Sequence, residues 1–253
     1  MENRNYSSYS YVNDNSEVIS TNKTIAKSFF FMFLGALISL LVGVGLTSFA
    51  YNVLTSPKGD FTYLIIFAVC FVVQLVITFN MSKQVYKSQN YSKSLLNFVL
   101  YSLLTGVTFS FLFVFFDAAI LNQVFIGVAA YFLLLALLTY VFRKKIHKAA
   151  GFAYVGLSTL VIVSTIMLLV SMFAFNGVYF DAIYLSVSIL GIIVFSIITM
   201  VDIKKMHSVL ASGTNNKALV VLFAFNLYLD FINIFIYILR TLLILQKNFS
   251  RRD

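Results

Sequence analysis

Charge is what this sequence has least of. Only 11% of its 253 residues are Asp, Glu, Lys or Arg, against roughly 25% in a soluble domain, while 60% are hydrophobic. That balance excludes a water-soluble globular fold and points to a chain that crosses a membrane several times. Cysteine is nearly absent: Cys70 alone lies in an apolar run, so no intrachain disulfide is available and it reads as a small buried or lipid-facing hydrophobe. Proline occurs once. There is no glycine loop to cradle phosphate and no Ser–His–Asp set. His147 and His207 sit in basic segments without Cys or carboxylate partners at metal-ligand spacing. No tightly bound metal, no cofactor and no enzymatic activity are therefore expected. The net charge of +9 could suggest nucleic acid, but the basic residues fall in short connections between apolar runs, which is a topology signal and not a binding groove.

What is present is a succession of apolar segments. Seven of them, Ser28–Tyr51, Phe61–Met81, Leu95–Phe116, Ala118–Phe142, Ala149–Phe175, Ala182–Val201 and Ala218–Leu245, are each long enough to span a hydrocarbon core of about 30 Å. The expected fold is an all-α membrane protein of seven transmembrane helices. Residues 1–27, rich in Ser, Asn and Tyr and without apolar periodicity, read as a disordered cytoplasmic tail; 28–246 form the transmembrane domain; 247–253 form a short basic tail. Gly35, Ser39 and Gly43 recur every fourth residue, a small-residue stripe that permits close helix approach. The loops alternate in charge. Lys83, Lys87 and Lys93, then Arg143, Lys144, Lys145 and Lys148, then Lys204, Lys205 and Lys217 mark the even loops; Asp60, Asp117 and Asp181 mark the odd ones, with Lys58 against them. The positive-inside rule places the N-terminus in the cytoplasm. Seven full spans then put Lys247, Arg251 and Arg252 outside, against that rule; a re-entrant last segment would keep them inside.

The last span carries the chemistry. Asn226, Asp230, Asn233, Tyr237 and Arg240 are spaced to form one stripe on a helix. A carboxylate at membrane depth costs at least about 2.5–3.5 kcal/mol, so Asp230 must face other helices or a water-filled cavity. Asp202 closes the sixth span. If the sixth and seventh helices are antiparallel neighbours, the two aspartates can meet, provided helix seven begins about two turns outside the hydrocarbon or Asp202 is drawn inward. Two carboxylates in a dry site do not both ionise cheaply, so they would share a proton. Arg240 is placed to snorkel to the interface.

Three stretches resemble the Bax inhibitor-1 family of membrane proteins. Tyr228-Leu229-Asp230-Phe231-Ile232-Asn233-Ile234-Phe235 with Leu239-Arg240 is similar to its last-helix signature, Phe195 through Val201-Asp202-Ile203-Lys204-Lys205 to its sixth-helix ending, and Tyr101 through Thr108 to its third-helix motif. The resemblance covers about residues 25–246. It implies a last helix that is central and surrounded by the other six, in a protein of the bacterial inner membrane. It also implies a pH-sensitive leak for Ca2+ or other cations, gated by Asp202 and Asp230, with Ca2+ bound there only transiently. Bacterial relatives complete the latch with an arginine near the end of helix two; here Ser82 and Lys83 stand in that place, and Lys83 is the cation on offer, without arginine's bidentate fork. Val201 stands where relatives often have Tyr. The lipid bilayer is the first partner. The alternative is an interaction protein that modulates a membrane protease or a stress or cell-death response through a membrane-protein partner. An intramembrane aspartyl protease lacks its Gly-x-Gly-Asp context here, and a retinal receptor lacks its helix-seven lysine.

Overall fold

The computed structural model describes the backbone of residues 7–141, 146–172, 178–211 and 216–249. Arg143, Lys144, Lys145, Arg251 and Arg252 lie outside the described residues, as do the side chains of Asp60, His147, Lys148, Asp181 and Lys247. The described chain is helical, with no strand in it: α1 Ser7–Gly45, α2 Thr47–Leu54, α3 Gly59–Lys83, α4 Tyr91–Phe113, α5 Ala118–Val141, α6 Ile146–Met172, α7 Val178–Ala211 and α8 Lys217–Phe249. A π-turn, Gln84–Ser88, extends α3. Six of these helices are long and apolar enough to cross a membrane among the described residues, and α6 occupies the place of the remaining expected span.

Three boundaries differ from expectation. The segment read as a disordered tail is helical from Ser7 onward, as part of α1. No Gly or Pro occurs before Gly35, so a helix nucleated in the apolar segment propagates back through the polar residues at little cost. The first apolar run is not one helix: it breaks at Leu46, just after Gly43 and Gly45, and resumes as α2. The sixth span does not end at Val201. α7 continues to Ala211, so Lys204, Lys205 and His207 lie on helix and not in a loop. Lysines end a hydrophobic stretch, but they are good helix formers.

The chain forms two compact units. The first contains residues 1–118 and 205–228, the second residues 119–204 and 229–253. In the first unit α1 packs chiefly on α4. The small-residue stripe sits on that contact: a Cβ on Gly35 would collide with the Phe98 ring, and one on Gly43 would meet the Phe113 ring at 2.7 Å. From α4, a Cβ on Gly106 would meet Val42 Cβ at 2.6 Å and the Ser39 backbone oxygen at 3.0 Å. Ser39 Oγ donates to the Ser102 carbonyl at 2.8 Å and lies 2.7 Å from the Tyr228 hydroxyl. A carbonyl only accepts, so the single Ser39 proton goes there and Tyr228 donates to Ser39. Around them Phe98 and Tyr101 meet Phe225 and Tyr228 edge-on, with centroids 5.0–6.2 Å apart.

The end of α3 is held by side-chain bonds. Asn97 donates to Gln84 Oε1 at 2.9 Å, and Gln89 closes the π-turn at φ 47°. Asn90 then caps α4 by accepting from the Lys93 amide at 3.0 Å. Asn216 does the same for α8, accepting from the Ala218 amide at 2.9 Å.

In the second unit Phe231 of α8 packs on Phe125 and Phe132 of α5, with centroids 5.4 and 5.5 Å away. A Cβ on Gly156 of α6 would approach Val194 of α7 to 2.9 Å. The Tyr131 hydroxyl lies 2.8 Å from Ser196 Oγ, which donates to the Ile192 carbonyl, so here too tyrosine is the donor.

α8 is the most buried of the spans. In its apolar window 78% of residues are buried, against 17–44% in the others, so it is the central helix that the sequence called for. Gly106→Ala should lower stability in detergent by about 1–3 kcal/mol, because a backbone oxygen cannot swing aside. Gly127→Ala is the control. Its Cβ meets nothing within 4 Å, so it should gain about 0.5–1 kcal/mol in the same unfolding measurement.

Candidate functional site

The site is built on the pairing of α7 with α8 in the second unit. Gly191 sets it. A Cβ there would fall 2.6 Å from the Tyr237 ring, so only glycine lets that ring lie against α7. One turn on, Phe195 stacks on the same ring at 5.9 Å. The helices run antiparallel, and the register follows by counting. Seven residues, about two turns, carry Phe195 to Asp202; seven residues back carry Tyr237 to Asp230. The aspartates therefore fall opposite each other, and Asp202 acts electrostatically on Asp230 across this contact.

Both helices extend past the aspartates. α7 runs nine residues past Asp202, and α8 starts thirteen residues before Asp230. At about 1.5 Å per residue those overhangs differ by only about 6 Å. Asp202 is not at a helix end; it lies within α7, half-buried.

Asp230 is 4% exposed. Its Oδ2 has no hydrogen-bond partner among the described residues. Thr199 lies one turn before Asp202 on the same face of α7. Thr199 is fully buried, and its Oγ1 donates to the Phe195 carbonyl at 2.8 Å. Phe231, Ile234 and Phe235 on α8 and Ile198 on α7 are all buried.

The rest of the stripe is half-buried. Asn233 Nδ2 donates to the Leu229 carbonyl of its own helix at 2.7 Å. Arg240 does not simply reach for the interface: its guanidinium lies 5.5 Å above the Tyr184 ring of α7, a cation–π contact that continues the α7–α8 seam. Asn226 falls in the first unit. So does Lys83, which is exposed at the end of α3 where the π-turn begins. His207 is half-exposed on α7.

Among the described residues no three His, Cys, Asp or Glu side chains gather to hold a metal ion. The two carboxylates and the Thr199 hydroxyl are an oxygen-only set, suited to a proton or a hard cation and not to a soft metal. Reading the sequence alone misses Gly191 and Thr199. Both share the α7 face of Asp202 at helical spacing, through 191, 195, 199 and 202.

The family model described as inhibitor of apoptosis-promoting Bax1 matches residues 21–248, and so includes both aspartates and the whole α7–α8 seam. An uncharacterized protein of Borreliella burgdorferi is 30% identical over 235 residues, covering 89% of this chain and 94% of the relative. The inner membrane protein YbhL of Escherichia coli K12 is 27% identical over 210 residues, covering 79% of this chain and 86% of its own. An uncharacterized membrane protein of Streptococcus pyogenes serotype M1 is 26% identical, covering 89% and 97%. With its spans, its central last helix and a match over most of its length, the chain belongs to the Bax inhibitor-1 family of integral membrane proteins.

Proposed function

We propose that this protein is a pH-sensitive leak for Ca2+ or another cation, gated by the Asp202–Asp230 pair. The observation that carries the reading is Asp230: a carboxyl 4% exposed, one oxygen unpartnered, opposite a second carboxyl at membrane depth. Intramembrane carboxylates are functional by default, because a purely structural residue would not need to bear their cost.

The gate follows from charge. With one proton between them, the carboxyls hydrogen-bond or at least cease to repel, and α7 and α8 stay together. With both ionised, two like charges in low dielectric push the helices apart and admit water. The widened, hydrated seam then offers two carboxylates to a passing cation. Lys83, exposed at the end of α3, is the cation proposed to latch the closed state. The bacterial inner membrane is the proposed location, supported by the name of the Escherichia coli relative. The proposed orientation, N-terminus inside, rests on the lysines of the even loops.

Purified protein in proteoliposomes should pass Ca2+ with a flux that varies with pH, and Asp230→Asn should flatten that dependence, as should Asp202→Asn. Flux equal to empty liposomes at every pH would sink the leak and favour the second reading, a membrane protein that modulates a partner in the same bilayer. Orientation has its own check. Both Lys58 and Lys87 are exposed, so cysteines placed there are accessible to reagent. In intact cells an impermeant maleimide should label Lys58→Cys and spare Lys87→Cys; the reverse pattern would invert the topology.

A further inference from the structure

The first unit brings four helices together at one edge, and uncharged hydrogen bonds hold them there. Ser28, where the apolar part of α1 begins, donates its hydroxyl to the Val220 carbonyl of α8 at 3.2 Å. Asn216, the cap of α8, also donates its Nδ2 to the Val85 carbonyl of the π-turn at 3.4 Å. Asn97 of α4 donates to Gln84 of the same turn at 2.9 Å. The beginnings of the α1 span, of α4 and of α8 and the end of α3 are therefore tied to one another.

Each of these bonds lies beside lysine. Lys27 precedes Ser28, Lys217 follows Asn216, Lys83 and Lys87 flank Gln84 and Val85, and Lys93 stands one turn before Asn97. All five lysines are exposed. No Asp or Glu occurs in residues 23–28, 81–97 or 216–220, and the nearest acid before them on α1, Glu17, is ten residues from Lys27, about 15 Å along the helix. The other end of the same helices is different: Asp60 and Asp117 stand there with Lys58 alone against them. Like charges repel, so the hydrogen bonds hold together lysines that would otherwise spread.

The depth of these lysines follows from their neighbours. Lys27 and Lys217 directly abut the apolar spans of α1 and α8. Phe79, one turn before Lys83, is 71% exposed, and Tyr86, between Lys83 and Lys87, is 58% exposed. Exposed aromatic rings beside lysines mark the level at which a span leaves hydrocarbon for headgroups, and the long lysine stems let the ammonium groups settle there.

We propose that this edge is a binding surface for anionic phospholipid headgroups, with Lys27, Lys83, Lys87, Lys93 and Lys217 as its phosphate-binding rim. Basic clusters directly beside a span attract anionic lipid, each lysine near the surface being worth about fivefold in association. The phosphates of the leaflet already lie at the depth of the lysines, whereas a soluble acidic partner would have to push into the headgroups to reach them. The helices are held together beforehand, so a headgroup finds its donors gathered and does not have to assemble them.

The inference does not rest on the proposed leak. Its test uses the full-length protein in phosphatidylcholine vesicles carrying a trace of spin-labelled phosphatidylglycerol or, in parallel, of spin-labelled phosphatidylcholine. Electron spin resonance reads the fraction of each lipid immobilised at the protein. Wild type should hold phosphatidylglycerol at least about fivefold more strongly, the worth of one lysine. The preference should shrink in about 1 M salt, where charges are screened within about 3 Å. Lys83→Gln, Lys87→Gln and Lys93→Gln together should remove most of it, while Lys58→Gln, exposed at the other end, should leave it unchanged. If circular dichroism shows the triple variant unfolded, Lys87→Gln alone takes its place and should lower the preference. Equal retention of the two lipids by wild type would overturn the proposal and leave the edge to an acidic protein. So would a preference that the lysine variant keeps in full, or one that Lys58→Gln removes just as well.

Discussion

A carboxylate cannot face hydrocarbon, and the arrangement of the second unit answers to that one constraint. Asp230 sits in the middle of a helix whose remaining faces are almost wholly apolar. Turning it toward lipid would cost several times a typical net hydrogen bond. The helix must therefore present this face to a neighbour, and the neighbour must be shaped to receive it. α7 is so shaped. Gly191 opens a slot for the Tyr237 ring, Phe195 covers the ring, and Thr199 and Asp202 follow at one-turn intervals to meet Asp230. Arg240 on Tyr184 closes the seam at its other end. Each contact lies on the same antiparallel register, so displacing one displaces all.

Hydroxyl groups in this protein obey a simple economy. Serines and threonines on the spans give their proton to a carbonyl, Ser39 to that of Ser102 and Ser196 and Thr199 to one a turn back on their own helix. What remains on the oxygen is acceptor capacity, and a facing helix can use it. Tyr228 uses Ser39, and Tyr131 uses Ser196. These links join helices without placing any formal charge in the membrane.

Much of this was legible in the sequence because hydrophobicity and charge are coarse signals that a membrane enforces strictly. The apolar runs, the polar stripe from Asn226 to Arg240 and the Gly35–Ser39–Gly43 contact all follow from what lipid and close packing demand. What escaped was set by local continuity or by small side chains. Lys204 and Lys205 marked the end of hydrophobicity and not of the helix, which hid the overhang that lets Asp202 reach Asp230. The polar residues after Ser7 carried no periodicity, yet nothing in them stops a helix already formed. Gly191 and Thr199 look like any glycine or threonine in an apolar span; only the partner they face gives them meaning.

The π-turn after α3 bears on how positions are matched between related chains. An α-helix that takes in one extra residue widens locally into a π-turn, and the residues before it are rotated by about 100° against those after it. Lys83 stands immediately before such a turn, and Asn97 and Gln84 hold it in place from α4. A relative without the extra residue would present a neighbour of Lys83 at the same angle around the axis. Counting back from α4 and counting forward along α3 then name different residues as equivalent. Angular position on the helix, and not the number of residues between landmarks, decides which side chain stands where an arginine stands elsewhere.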